Sequence, residues 1–240
     1  MRRLKFALAT AAIVLASLAL AGCEGLTVPS SAGPDATPTG TSASTATNEL
    51  KELTIAGGGS MAGYSRARFH IWASQGSGCD TRDVVLKRQG HGVKTSADCK
   101  IYQGSWTSPY NEKTYSDPQD LQIDHVVPLG NAWLSGAKTW TDDKRKAFAN
   151  DLTRPQLLAV DSKDNEAKGD QDPSQWKPPN HDFWCTYATD WVTVKAYWKL
   201  TVTTADATPT EPNATANPAA AATRSGSSQR LFITTPLLEQ

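Results

Sequence analysis

Apolar and polar positions alternate in several distinct ways along the chain, and these patterns mark out elements before any residue is singled out for chemistry. Tyr64, Phe69 and Trp72 are spaced loosely as on a helix, with Ser65 as its N-cap. Asp83–Lys87 reads as a short strand or a half-buried helical turn, Cys99–Trp106 as a strand, and Ser108-Pro109-Tyr110-Asn111 as the turn after it. Leu121–Leu129 carries the strongest strand signal and is stopped by Pro128. Asn131–Trp140 and Thr141–Asn150 read as two helical pieces. The second opens on Asp142 and Asp143 and carries Lys144, Arg145 and Lys146 further along, charges that suit a helix dipole. Leu157-Leu158-Ala159-Val160 is a short buried strand. Ser162 or Asp164 caps a helix that passes Asn165 and Lys168 and ends at Gly169. Tyr187, Trp191, Val194 and Trp198 then repeat at helical spacing. Strands and helices in this order predict an α+β fold with more helix than strand.

All eight tryptophans fall between residues 51 and 204, a length of about 150 residues that suits one domain with a real core. Both flanks differ in composition. Residues 23–50 are mostly Ser, Thr, Ala, Pro and Gly, too poor in large apolar groups to offset ordering, and are expected to be a flexible tether. Residues 205–240 are similarly low in complexity, apart from a weakly apolar end, and are expected to be a disordered tail. At the start, Arg2, Arg3 and Lys5 precede an apolar run from Phe6 to Leu20, which reads as a signal peptide over residues 1–22. Leu20-Ala21-Gly22-Cys23 resembles the lipobox of bacterial lipoproteins. That resemblance implies cleavage before Cys23, a lipid on its thiol, and a protein anchored to the outer face of the cell membrane. Each buried methylene would contribute about 0.8 kcal/mol. An ordinary secretory signal and release from the cell is the alternative.

Charge and cysteines narrow the chemistry. The chain holds 24 Lys and Arg against 24 Asp and Glu, and residues 51–205 hold 19 against 18. Such neutrality argues against a protein that coats nucleic acid through many phosphates. It leaves room for a nuclease, because a metal ion can carry the positive charge at one phosphate. The absence of any CxxC pair argues against structural zinc. In an oxidising compartment a disulfide is expected among Cys79, Cys99 and Cys185. Cys79 with Cys99 is the favoured pair, across a span read as two strands, though spacing alone leaves the connectivity open. No Ser-His-Asp or Cys-His-Asn spacing supports a peptidase.

Candidate chemistry gathers around Ile123-Asp124-His125-Val126-Val127-Pro128-Leu129. With Asn131-Ala132-Trp133, Phe148-Ala149-Asn150-Asp151, Leu157-Leu158-Ala159-Val160, Asn165-Glu166-Ala167-Lys168-Gly169-Asp170 and Trp176-Lys177-Pro178-Pro179, this stretch resembles the HNH endonucleases. The likeness is to their exported, GmrSD C-terminal-like branch. It extends upstream to Gly63-Tyr64-Ser65-Arg66 and Cys79-Asp80-Thr81-Arg82, and downstream to Cys185-Thr186-Tyr187. It implies a ββα-metal core inside the domain, and metal-dependent hydrolysis of phosphodiesters in DNA, with RNA as the alternative substrate. By the same resemblance Asp124 and Asn165 ligate one divalent ion, Mg²⁺ or Mn²⁺ ahead of Zn²⁺, and His125 is the general base. Gln156 stands nearest by spacing to the family's histidine-orienting Asn, with Asn150 as the alternative. Lys168 is expected to touch phosphate, with Arg82, Arg145 and Arg154 as weaker phosphate candidates. Asp124 and His125 are neighbours on a strand, so their side chains leave on opposite faces and can divide the two roles. His70, His91 and His181 read as surface or structural, and the tryptophans as packing. The competing function class is an envelope binding module that retains the fold without catalysis. No protein partner can be inferred.

Overall fold

The computed structural model describes residues 42–207. The signal-peptide and Cys23 lipidation expectations, and all but the first residues of the expected tail, therefore fall outside the described residues. The described chain opens with helix α1 (Ala43–Glu52), capped by the Ser42 side chain accepting from the Thr45 N–H. Ala46, Leu50 and Leu53 lie at helical intervals and pack into the main core, where α1 runs against the long helix described below. Among the described residues, helical structure is thus already present at Ala43–Glu52, within the stretch expected to be a tether. Small residues dominate α1, so composition hides its apolar stripe.

A short 3-10 turn, Arg66–Phe69, stands where a longer helix was expected, and Phe69 at its end is wholly buried. Strands β1 (Ser74–Gly76) and β2 (Cys79–Asp80) form an antiparallel pair. Helix α2 (Thr81–Gln89) resolves the ambiguity over Asp83–Lys87 through a reciprocal cap. Asp80 accepts from the Asp83 N–H, while Asp83 accepts from the Asp80 N–H. Strands β3 (His91–Thr95), β4 (Ile101–Thr107) and β5 (Thr114–Tyr115) make a three-stranded antiparallel sheet. Cys79 and Cys99 are bonded, but α2 and β3, not a strand pair, lie between them.

Strand β6 (Leu121–His125) ends before Val126, short of the expected stop at Pro128. It pairs antiparallel with β7 (Leu157–Asp161), setting Ile123 opposite Ala159, Asp124 opposite Leu158 and His125 opposite Leu157. Between the two strands come α3 (Leu129–Leu134) and α4 (Asp142–Ala149), the latter capped by Thr141. Helix α5 (Ser162–Lys168) follows β7 directly, and its cap is Asp161, accepting from the Asp164 N–H, rather than Ser162 or Asp164. Helix α6 (Trp184–Trp198) and the single turn α7 (Thr204–Ala207) close the described chain. Helices with three small sheets make an α+β fold, as expected.

Two apolar clusters meet at β6 and β7. Ile123, Leu157 and Ala159 join Val85, Leu86 and Trp106 in the smaller one, which α2 covers. Val160 and Leu158 face the larger one, built on Phe69, Tyr110, Trp133, Phe148, Tyr187, Trp191 and Val194. The free edge of β7 is occupied by Gln89, whose amide donates to the Leu157 carbonyl at 2.9 Å and accepts from the Ala159 N–H at 2.8 Å. That side chain does the work of a third strand. In the chain-entropy account, closing the 20-residue separation between Cys79 and Cys99 contributes about 3 kcal/mol. Replacing both cysteines with serine is therefore expected to lower unfolding free energy by about that amount, read from urea unfolding extrapolated to water with each protein's own slope, which rises as the denatured chain loses its crosslink.

Candidate active site

Asp124 and His125 sit side by side near the end of β6 and enter different surroundings. The Asp124 carboxylate turns toward α5 and the larger cluster. One oxygen accepts from the wholly buried Lys168 ammonium at 2.9 Å, and the other accepts from the Tyr110 hydroxyl. Lys168 also donates to the His125 backbone carbonyl at 2.9 Å. Burial raises the Asp124 pKa and lowers that of Lys168, and each charge counters the shift of the other. Tyr110 is itself enclosed by Trp176, Phe183 and Tyr187 rings, and burial pushes its hydroxyl well above the usual range. Tyr110 therefore keeps its proton and serves Asp124 as a hydrogen-bond donor.

The His125 ring turns the other way. Its Nε2 lies 2.9 Å from the Ala149 carbonyl oxygen, which can only accept, so the proton sits on Nε2 and Nδ1 carries the lone pair. Trp72 stacks on the imidazole with centroids 5.3 Å apart and planes 6° from parallel. Burial lowers the His125 pKa to about 3, so the ring is neutral at physiological pH. It is the one buried histidine among the described residues; His70, His91 and His181 are exposed.

The supporting residues act on backbone. Gln156 is fully buried and makes a reciprocal pair with Val127: its Oε1 accepts from the Val127 N–H, and its Nε2 donates to the Val127 carbonyl, both at 3.0 Å. The Gln156 carbonyl also accepts from the Val126 N–H at 2.8 Å. Gln156 thus pins the turn immediately after His125 without touching the imidazole. Asn150 fastens the segment that carries Trp72, accepting from the Ala73 N–H at 2.8 Å and from the Thr81 hydroxyl at 2.8 Å, and donating to the His70 carbonyl at 3.2 Å. Beyond the turn, the Gly130 N–H donates to Asp170 at 3.1 Å, and a Cβ at Gly130 would lie 2.4 Å from that carboxylate.

The remaining sequence candidates are placed as follows. Asn165 lies on α5 and donates to Gln122 at 2.6 Å, two residues before Asp124 and on the same strand face. Its amide oxygen keeps its acceptor capacity. Lys168 is enclosed rather than presented to a substrate. Arg82, Arg145 and Arg154 are not delivered to the Asp124–His125 pair. Arg82 donates to the Pro118 and Leu121 carbonyls, Arg145 to the Ala137 carbonyl and Asp142, and Arg154 to Asp151 while lying over the Tyr197 ring. Tyr110, Trp72 and the Ala149 carbonyl were missed in the sequence because each arrives from a distant segment. Among the described residues, no group of three or more His, Cys, Asp or Glu side chains is arranged to hold a metal.

These features define an α+β protein with a buried acid–histidine pair on a β–β–α unit. The chain belongs to the family described as GmrSD restriction endonucleases, C-terminal domain, whose model matches residues 80–208. Membership places it in a nuclease-related family. It is 46% identical over 188 residues to an "uncharacterized secreted protein" of Arthroderma benhamiae, covering 78% of this chain and 92% of the relative. No solved structure matches it. Among the described residues, no helix is long and apolar enough to cross a membrane.

Two buried groups give opposite pH dependences. His125 has its folded pKa depressed to about 3, so the folded state resists its protonation, and that contribution is lost as pH falls from about 6.5 toward 3. Asp190, in α6, is raised to about 7 by burial alone, and its Oδ1 has no hydrogen-bond partner. Its contribution is present at low pH and lost as pH rises from about 4 through 7. Asp190→Asn is therefore expected to stabilise the protein at pH 8 more than at pH 5. His125→Gln should flatten the slope below pH 6.5 by up to about 1.4 kcal/mol per pH unit. Urea unfolding of wild type and both variants across pH 4–8 checks both signs.

Proposed function

We propose that the protein is an exported HNH-type endonuclease that hydrolyses phosphodiester bonds, DNA being the favoured substrate and RNA the alternative. The observation that carries this reading is the His125 ring beside Asp124, fixed by the Ala149 carbonyl and the stacked Trp72. Its Nε2–H is committed to the Ala149 carbonyl, which leaves Nδ1 to take a proton from an attacking water. The carbonyl steadies the imidazolium that forms, and Trp72 keeps the ring from swinging away. Gln156 holds the following turn, so the backbone that carries the base stays in place during the transfer.

The family resemblance calls for one divalent ion. The donor types suit a hard cation: the Asp124 carboxylate, with the Asn165 amide oxygen on the helix packed against the same strand face. When bound, such an ion supplies Lewis-acid stabilisation of charge developing on the phosphate oxygens. Mg²⁺ and Mn²⁺ are favoured over Zn²⁺ because both donors are oxygens. The hairpin of β6 and β7 with α5 on its Asp124 face then corresponds to the ββα-metal core.

One observation favours a second reading, a binding module without hydrolysis: both Asp124 oxygens are already engaged by Tyr110 and Lys168. The secreted relative supports export. The lipid on Cys23, and with it attachment to the outer face of the membrane, is a proposal read from Leu20-Ala21-Gly22-Cys23 alone, which mass spectrometry of the mature N-terminus would settle.

Plasmid DNA and RNA incubated with the protein and Mg²⁺, Mn²⁺ or Zn²⁺ are expected to be cleaved, and EDTA to stop cleavage. His125→Ala should lower the rate about 10²–10⁴-fold while leaving the folded protein intact by circular dichroism. Absence of cleavage with every metal leaves the binding-module reading, whereas full activity in His125→Ala overturns His125 as the base.

A further inference from the structure

A nuclease must hold the phosphate at which its base directs water, and the described residues include six arginines, the side chain best shaped for that task. Five are committed to partners within the fold. Arg68 donates to the Gly63 carbonyl and lies over the Trp133 ring, and Arg88 donates to the Leu152 carbonyl. Arg82, Arg145 and Arg154 are bonded to the backbone carbonyls and carboxylates named above. Arg66 is the exception. It is exposed, and no hydrogen bond or ion pair within the described residues engages it.

Its location is set by the segment that carries it. Arg66 opens the 3-10 turn that ends at Phe69, and Phe69 packs against Tyr64, Trp133 and Phe148. From there the chain passes His70, whose carbonyl Asn150 holds, to Trp72, which stacks on His125. Arg66 therefore stands at the outer end of a strap whose inner end lies on the base. The same turn packs against α3 and α4, and α4 ends at the Ala149 carbonyl that holds the His125 ring. Lys168, the cation bonded to Asp124, is sealed inside.

We propose that Arg66 is the substrate-phosphate clamp of this site, its guanidinium gripping a backbone phosphate of the nucleic acid and setting it over His125. The proposal rests on the nuclease reading and names the residue through which that site meets its substrate. A planar fork with five donors suits two phosphate oxygens, and an unpaired exposed guanidinium has no internal partner to surrender on binding.

The test compares full-length wild type, Arg66→Gln, Arg66→Lys and a charge control, Lys94→Gln, on the exposed face of β3. Cleavage kinetics on a short DNA duplex are combined with duplex binding across a salt series, measured by fluorescence anisotropy with EDTA present. Arg66→Gln is expected to weaken binding and raise KM by roughly tenfold or more, and to reduce the slope of log K against log salt by about one. Arg66→Lys should recover part of the loss, and Lys94→Gln should match wild type. An active wild type with KM and salt slope unchanged in Arg66→Gln overturns the clamp and leaves the nuclease reading standing, as does an equal effect in Lys94→Gln. A wild type that neither binds nor cleaves nucleic acid overturns both.

Discussion

The pleat of β6 is the constraint on which the rest of the site depends. Consecutive strand residues face opposite ways, so Asp124 and His125 are delivered to two different apolar clusters. Asp124 shares its face with the side of the hairpin that carries Leu158 and Val160, and meets Tyr110 and Lys168 there. His125 shares the face of Ile123 and meets Trp72. A slip of one residue in the pairing with β7 would exchange the two environments and place Ile123 among polar partners. Lys168 opposes that slip directly, because one ammonium bonds both the Asp124 carboxylate and the His125 carbonyl. It is bonded at once to a side chain and to the backbone of the next residue, so it senses the register itself.

Such an ion pair is not retained for its contribution to stability. Removing two charges from water costs about as much as their attraction returns, and buried pairs replaced by well-packed apolar residues are often neutral. Losing one partner is different, since the remaining charge stays buried at a cost of about 3–5 kcal/mol. Lys168 and Asp124 are thus bound to each other's presence, and what they provide is position. The same logic applies to Gln156, which spends both ends of its amide on Val127. The His125 Nε2–H and both ends of the Gln156 amide are satisfied by backbone, leaving the imidazole few ways to reorient.

Much of this was legible in the sequence, and the gaps have identifiable causes. The strands around Asp124 and Leu157, the helix opening at Thr141-Asp142-Asp143 and the helix ending at Gly169 follow from local patterns that tertiary packing did not override. The cap of α5, expected at Ser162 or Asp164, falls at Asp161 because that residue also ends a strand, and Ser162 is an equally good capping type. Helix α1 escaped notice because Ala46 and Leu50 sit among Ser and Thr, and only α6 gives them something to bury against. The disulfide between Cys79 and Cys99 was expected for a wrong reason, two strands, where a capped helix and one strand bring the cysteines together. Tyr110 and Trp72 come from segments whose approach to β6 no local pattern records.

The arginines show the limit most clearly. A sequence displays their charge but not whether the fold will consume it, and Arg82, Arg145 and Arg154 are consumed by carbonyls and carboxylates that would otherwise be unsatisfied. This changes what overall neutrality means. With 24 basic against 24 acidic residues the chain has no long-range field to gather nucleic acid. Five of the six described arginines are already bonded within the fold, so fewer guanidinium groups are free to bind than the count suggests. On the nuclease reading, recognition would depend on a few short-range contacts close to His125, where a shielded site makes each one stronger than it would be in open water. A small footprint of that kind favours contact with the sugar–phosphate backbone over the reading of an extended base sequence.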